Sequence, residues 1–296
     1  MKTTKRMLKI LLLISTVFLT SNQMIAQTDT SITQTVCAGS ANEPYLINPP
    51  TAGSTYQWTL DNGTTFGTIT SGQGTSSISI NWGLTAGVET LRMLETNNGC
   101  NATEVILLVT IVEAPTADAG LAANVCVGEA YALSGTATNS TGVSWAHNGA
   151  GTITGANTTT PIYTPAVLDV TVTLTMTVTG SSTCADATDA VVLTVNQAPT
   201  ADAGGDTTLC EGESYIFVGT SVGNQTMISW NNNGGDGSFT NGTTSTPTYT
   251  PGTTDIANGM VTLTMTVTGS SPCTDAISSM IITINQTPTP GPIWHN

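Results

Sequence analysis

The chain repeats itself, and a segment that recurs every 85 residues or so folds as one of a row of small like units rather than as part of a single large core. Ala114-Pro-Thr-Ala-Asp-Ala-Gly120 returns 84 residues later as Ala198-Pro-Thr-Ala-Asp-Ala-Gly204. Val172-Thr-Leu-Thr-Met-Thr-Val-Thr-Gly-Ser-Ser182 returns 89 residues later from Val261 to Ser271. Between these blocks both copies carry a Ser-Trp pair (Trp145, Trp230) and a Tyr-Thr-Pro (Tyr163-Thr-Pro165, Tyr249-Thr-Pro251). A more distant first copy keeps the skeleton Cys37-Ala-Gly39, Trp58 and Cys100, matching Cys126-Val-Gly128, Trp145, Cys184 and Cys210-Glu-Gly212, Trp230, Cys273. The expected organisation is therefore a leader over 1–26, modules over 27–113, 114–197 and 198–286, and a linker or truncated tail over 287–296.

Inside a module the hydrophobic period is two, the period of a strand. Val261, Leu263, Met265 and Val267 share one face, and Thr262, Thr264, Thr266 and Thr268 the other. One face packs and one is wet, as in antiparallel sheets. Short runs at 130–135, 143–147, 171–180 and 190–196 are separated by Gly, Pro and Asn-Gly turn signals, with no helical stripe beyond residue 26. Seven or so such runs per module fit an all-β fold of tandem immunoglobulin-like antiparallel sandwiches. Trp58, Trp145 and Trp230 are the expected core plugs.

Charge narrows the partners. Lys2, Lys5, Arg6 and Lys9 leave Arg92 as the one basic residue of the remaining chain, against 19 acids. Binding phosphate backbones or anionic lipid headgroups depends on Lys and Arg displacing counterions, so nucleic acid and membrane surfaces are excluded as partners. Residues 1–9 form a basic n-region and 10–19 a mostly apolar run, about half the length needed to cross a bilayer. This pattern reads as a secretory signal cleaved after Ala26, which places the mature chain outside the cell with no membrane insertion.

The Ala-Asp-Ala-Gly start, the Val-Cys-x-Gly-Glu turn, the Ser-Trp strand, the Tyr-Thr-Pro and the Val-Thr-Leu-Thr-Met-Thr-Val-Thr-Gly strand resemble PKD-like and immunoglobulin-like modules of large secreted bacterial surface proteins, of the gliding-motility-associated adhesin type. The resemblance spans 27–286 and implies stalk or adhesive spacer roles, export by the type IX route and no catalytic residues. A sorting domain that such export implies does not follow Gln286, and Thr287-Pro-Thr-Pro-Gly-Pro-Ile-Trp-His-Asn296 reads as a linker into a further module. A fragment of a longer protein is therefore expected.

Six cysteines in an exported chain imply disulfides. Metal ligation does not fit, because no pair has CxxC-type spacing. Pairing within modules gives Cys37–Cys100, Cys126–Cys184 and Cys210–Cys273, with partners 63, 58 and 63 positions apart. Strand parity gives a rival. Five strands between the turn carrying Cys126 and the hairpin carrying Cys184 put the two at opposite ends of a sandwich, nearly 30 Å apart at roughly 3.3 Å per residue. A disulfide needs about 4.4 to 6.8 Å between Cα atoms. The rival set is Cys37–Cys184 and Cys126–Cys273, with Cys100 and Cys210 left for neighbouring modules or chains.

Residues for chemistry are sparse. A nucleophilic site needs a histidine oriented by a third group; His147 shares a strand face with Trp145, but Asn232 holds its place in the next module, and His295 lies in the tail. Acids recur at module edges: Asp118 and Asp202 near the start, Glu129 and Glu213 at the first turn, Asp186 and Asp275 beside the last cysteine. Clustered, they would hold Ca²⁺, with Asp118, Asp202, Glu213 and Asp275 as candidates; dispersed, they are solvated surface acids. No other cofactor is expected. The alternative to a spacer is a carbohydrate-binding accessory module of a secreted enzyme, and the partner in either case is a surface glycan or protein.

Overall fold

The computed structural model describes residues 32–295; the leader expected at 1–26 lies outside them. The chain divides into a unit up to Ala114 and a unit from Pro115. The first holds one hydrophobic core, running from Val36 to Ile111. The second holds two, one between Ala119 and Val195 and one between Ala203 and Ile284. Nearly all regular structure is strand, and each core lies between sheets.

The plan is the same three times. In the first module a sheet runs in the order Ile32–Cys37, Val105–Val112, Gly87–Asn97, Thr55–Leu60, facing a sheet of Glu43–Leu46, Ser77–Trp82 and Gly67–Ser71. In the second the order is Ala123–Cys126, Ala187–Asn196, Thr171–Thr179, Gly142–His147, facing Tyr131–Ala132, Ile162–Thr164 and Thr152–Thr154. The third repeats it with Thr207–Cys210, Ala276–Asn285, Met260–Thr268 and Met227–Asn231, facing Tyr215–Ile216, Thr248–Thr250 and Ser238–Thr240. The alternation in sequence becomes alternation in burial: Val172, Leu174, Met176 and Val178 are all fully buried, as are Leu263, Met265 and Val267, with Val261 nearly so. Each such side chain contributes about 1.5–3 kcal/mol relative to exposure.

The sandwiches are not wholly antiparallel. In every module the opening strand pairs parallel with the closing one: Cys37 stands opposite Val112, Cys126 opposite Asn196 and Cys210 opposite Asn285. A parallel pair needs a long crossover, and here the whole remainder of the module serves as that crossover. In the second and third modules the repeated Thr-Ala-Asp leads the chain in as a separate ribbon, Thr116–Asp118 against Thr136–Thr138 and Thr200–Asp202 against Ser221–Gly223. The chain then joins the four-stranded sheet through Ala123–Cys126 and Thr207–Cys210.

Two expectations need correction. The third module contains a one-and-a-half-turn helix, Thr253–Asn258, where no helix is expected. Nine residues separate Pro251 from Val261 where six separate Pro165 from Val172, and the extra length coils. Asp236 accepts hydrogen bonds from the Thr254 and Asp255 amides and the Thr253 hydroxyl at the helix start. These amide bonds, led by that of Thr254, pull its carboxyl down to about 2. Gly259, at φ 71°, closes the helix in the left-handed region that glycine adopts freely. The second correction concerns Trp230. Trp58 and Trp145 are buried, but Trp230 is only partly so. Phe217 replaces Leu133 beneath it and Phe239 replaces Ile153, with ring centroids 4.3 and 6.1 Å from the indole; the larger rings fill the core and lift the tryptophan toward solvent.

Candidate functional site at the sandwich junction

The chemistry-bearing residues gather where the second module hands over to the third. Asn196 ends the closing strand of the second module beside Cys126, and its carbonyl accepts the Val127 amide at 2.9 Å. Two residues later the third module begins. Its last hairpin, carrying Gly269-Ser-Ser-Pro-Cys273, folds back onto this spot: Asn196 Nδ2 donates to the Ser271 carbonyl at 2.7 Å, and Cys273 Sγ lies 3.4 Å from the Asn196 carbonyl. Cys126 and Cys273 are joined by a disulfide, with 5.0 Å between their Cα atoms and 147 residues of sequence separation. Pro199 packs over Gly269, where a Cβ would stand 2.7 Å from the proline ring; Pro115 packs over Gly180 in the same way. The recurrent Gly-Ser-Ser thus needs its glycine to admit the proline of the incoming linker.

The pairing of Cys126 with Cys184 inside the second module does not occur. Cys126 sits beside the last residue of the strand Ala187–Asn196 and Cys184 precedes its first, so a ten-residue strand of roughly 33 Å separates them. Neither Cys37 nor Cys184 is a free thiol. Cys100 and Cys210 are free and exposed, whereas pairing within modules would have bonded both.

The calcium candidates are not brought together. Asp118 and Asp202 each accept an amide two residues ahead, from Gly120 and Gly204, both at 2.9 Å. Glu213 accepts the Cys210 amide at 3.3 Å, and Asp186 the Gly180 amide at 3.2 Å. Asp275 lies in the hairpin of Cys273, two positions after it. Among the described residues no three His, Cys, Asp or Glu side chains converge as a metal site would require. His147 Nδ1 is buried without a hydrogen-bond partner, and its ring meets the Tyr163 ring edge-on at 5.1 Å. It has no orienting carboxylate.

Three acids outside the sequence candidates are buried instead: Glu89, Asp169 and Asp255. Asp169 accepts hydrogen bonds from the Ala150, Gly151 and Ala166 amides and from the Tyr163 hydroxyl, at 2.7 to 3.1 Å. Asp255 accepts from the Gly237 and Gly252 amides and the Tyr249 hydroxyl, at 2.6 to 3.1 Å. Burial raises the Asp169 carboxyl, but the four donors outweigh it and hold the group below its usual range. The same contact, after burial itself, pushes the Tyr163 hydroxyl up to about 12. Each clasp ties the loop after the Tyr-Thr-Pro strand to the loop after the tryptophan strand. A signal was present: in both modules the Asp falls six residues after the Tyr of Tyr-Thr-Pro.

The first module carries the one basic side chain of the described residues. Arg92 forms a bidentate pair with Asp61, Nε–Oδ1 at 2.6 Å and Nη2–Oδ2 at 2.8 Å, and Nη1 meets Glu104 at 2.9 Å. The guanidinium holds the Asp61 carboxyl below its ordinary value. Arg92 is also the only tryptic site after residue 9, and it lies within the strand Gly87–Asn97, paired on both sides. Native chain should survive trypsin with no cut, or with the single cut after Arg92; a ladder of fragments would contradict this.

Each repeat is thus a two-sheet β-sandwich of immunoglobulin-like plan. Residues 23–109 match the family described as "PKD-like domain". No curated protein sequence matches. Among solved structures, Drosophila OTK extracellular domains 3–5 align at 11% identity and a TM-score of 0.37, covering 89% of this chain and 97% of that one. The insect immune protein hemolin aligns at 12% identity and 0.37, covering 89% and 76%. Mouse cadherin-23 EC22–24 aligns at 14% identity and 0.32, covering 88% and 97%.

Proposed function

We propose that this chain is a non-enzymatic extracellular repeat segment, a spacer or adhesive stalk of a larger secreted or surface protein. The observation that carries the reading is the Cys126–Cys273 disulfide. It joins the opening turn of one sandwich to the last hairpin of the next, so tension along the chain crosses from residue 126 to residue 273 through a covalent bond. The residues between them, which include nearly all of the core lying between Ala119 and Val195, stand outside the path of the load. A catalytic domain gains nothing from such a link; a tether does. The repeat plan and the PKD-like match of the first module support the same reading, as do the secretory leader and an oxidising compartment for the disulfide. Among the described residues no helix is long and apolar enough to cross a membrane.

The carbohydrate-binding alternative calls for aromatics lined along an open face. Of the described aromatic side chains only Trp294, in the tail, is exposed. The shallow hollow of about 310 Å³ beside Trp58 is walled mainly by Thr, Gly and aliphatic residues. A glycan array probed with the mature chain should stay at background. Saturable binding to one glycan class would replace the spacer reading with a carbohydrate-binding one.

A further inference from the structure

We propose that the third sandwich ends in an unfilled copy of the junction socket, and that it is filled by a second copy of this chain through a Cys210–Cys100 disulfide, joining copies head to tail. The socket of the second module has four parts: a cysteine ending the opening strand, a closing-strand residue opposite it in parallel register, an amide after the cysteine donating to that residue's carbonyl, and an Asn-Gln-x-Pro-Thr run leading away. All four recur at the end of the third module. Cys210 stands opposite Asn285, the Glu211 amide donates to the Asn285 carbonyl at 2.8 Å, and Asn285-Gln-Thr-Pro-Thr289 follows as Asn196-Gln-Ala-Pro-Thr200 does. The difference is occupancy. Cys126 is 5% exposed, covered and bonded by Cys273; Cys210 is exposed and free.

The plug is also duplicated. Cys273 sits in the hairpin between the two longest strands of its module, and Cys100 sits in the corresponding hairpin of the first module. Cys100 pairs with Asn97 across an Asn98-Gly99 turn whose residues both have positive φ, 50° and 81°. That geometry is the tight two-residue loop that projects from a strand pair. Its flanking residues, Asn97, Asn98 and Asn101, are uncharged, so the tip meets Glu211 and Glu213 without like-charge repulsion. The chain therefore exposes one free cysteine of the socket type and one of the plug type. The equivalent pair, Cys126 and Cys273, bonds within this same molecule.

Closing the link takes two thiols to one disulfide, releasing two protons and two electrons. A small-molecule disulfide such as oxidised glutathione accepts them by thiol–disulfide exchange and leaves as two thiols. Spacers joined this way would extend a stalk beyond the length of one chain.

The test mixes single-cysteine variants of the mature chain in a glutathione redox buffer and reads the products on non-reducing gels with peptide mapping. Wild type should give a ladder of covalent multimers. Cys100→Ser alone and Cys210→Ser alone should each remain monomeric, and their equimolar mixture should restore a dimer whose map contains the Cys100–Cys210 peptide pair. Both side chains are exposed and unbonded, so neither variant removes a core contact. A wild type that stays monomeric, or single variants that dimerise as readily as the mixture, would overturn the proposal. Either result leaves the internal Cys126–Cys273 link, and the spacer reading built on it, untouched.

Discussion

Asp169→Ala should cost the second module about 3–5 kcal/mol, because removing one partner of a buried charge network strands the groups that faced it. The substitution leaves the Ala150, Gly151 and Ala166 amides and the Tyr163 hydroxyl without their acceptor in a site where the carboxylate is 5% exposed. At roughly 4–8 °C per kcal/mol for a domain of this size, the corresponding calorimetric transition should fall by some 12–40 °C. The pH profile carries a matching signature. The Asp169 carboxyl is held below its unfolded value, so its contribution is complete above about pH 4 and is lost as acid protonates the folded form. Tyr163 is shifted the other way: its contribution is complete below about pH 10 and is lost as the pH rises toward about 12. In Asp169→Ala the acid limb of stability from this site should vanish. An unchanged melt would show that the clasp holds nothing that water does not replace.

The clasp also marks the limit of what the sequence disclosed. The sheets were legible because burial follows a period of two, and Val172 through Val178 and Val261 through Val267 state that period without interruption. The acids at 169 and 255 were not, because a lone Asp in a turn-rich stretch resembles any solvated surface acid until the fold closes two loops over it. The glycines that permit this closure, Gly151 and Gly237, read as ordinary turn residues; in the fold a Cβ on either would collide with the Tyr163 or Tyr249 ring. Strand parity offered Cys126–Cys273 as a rival to Cys126–Cys184, and both stood open until the fold showed which end of a sandwich each turn occupies. The state of Cys100 and Cys210 was not legible, because equivalent cysteines differ here only in whether a neighbouring module covers them. Trp230 shows the same limit in a core: its place on the strand was readable, but its partial exposure was set by the bulk of Phe217 and Phe239, 13 and 9 positions away in sequence.

The second large effect concerns the link between sandwiches. By loop closure the Cys126–Cys273 bond contributes about 2–4 kcal/mol to the folded pair, but its larger consequence is mechanical. With the bond closed, stretching the second and third modules cannot extend the residues it encloses, whether or not they unfold. Opening it by reduction, or by Cys126→Ser with Cys273→Ser, adds the 147-residue separation to the extensible chain, roughly 50 nm at 3.3–3.6 Å per residue.

Single-molecule stretching with handles at Leu121 and Thr289, both exposed and both outside the enclosed loop, measures this contour length directly. The oxidised chain should reach full extension about 50 nm short of the reduced chain and of the double serine variant. Equal contour lengths in all three would mean that the bond does not carry tension between sandwiches.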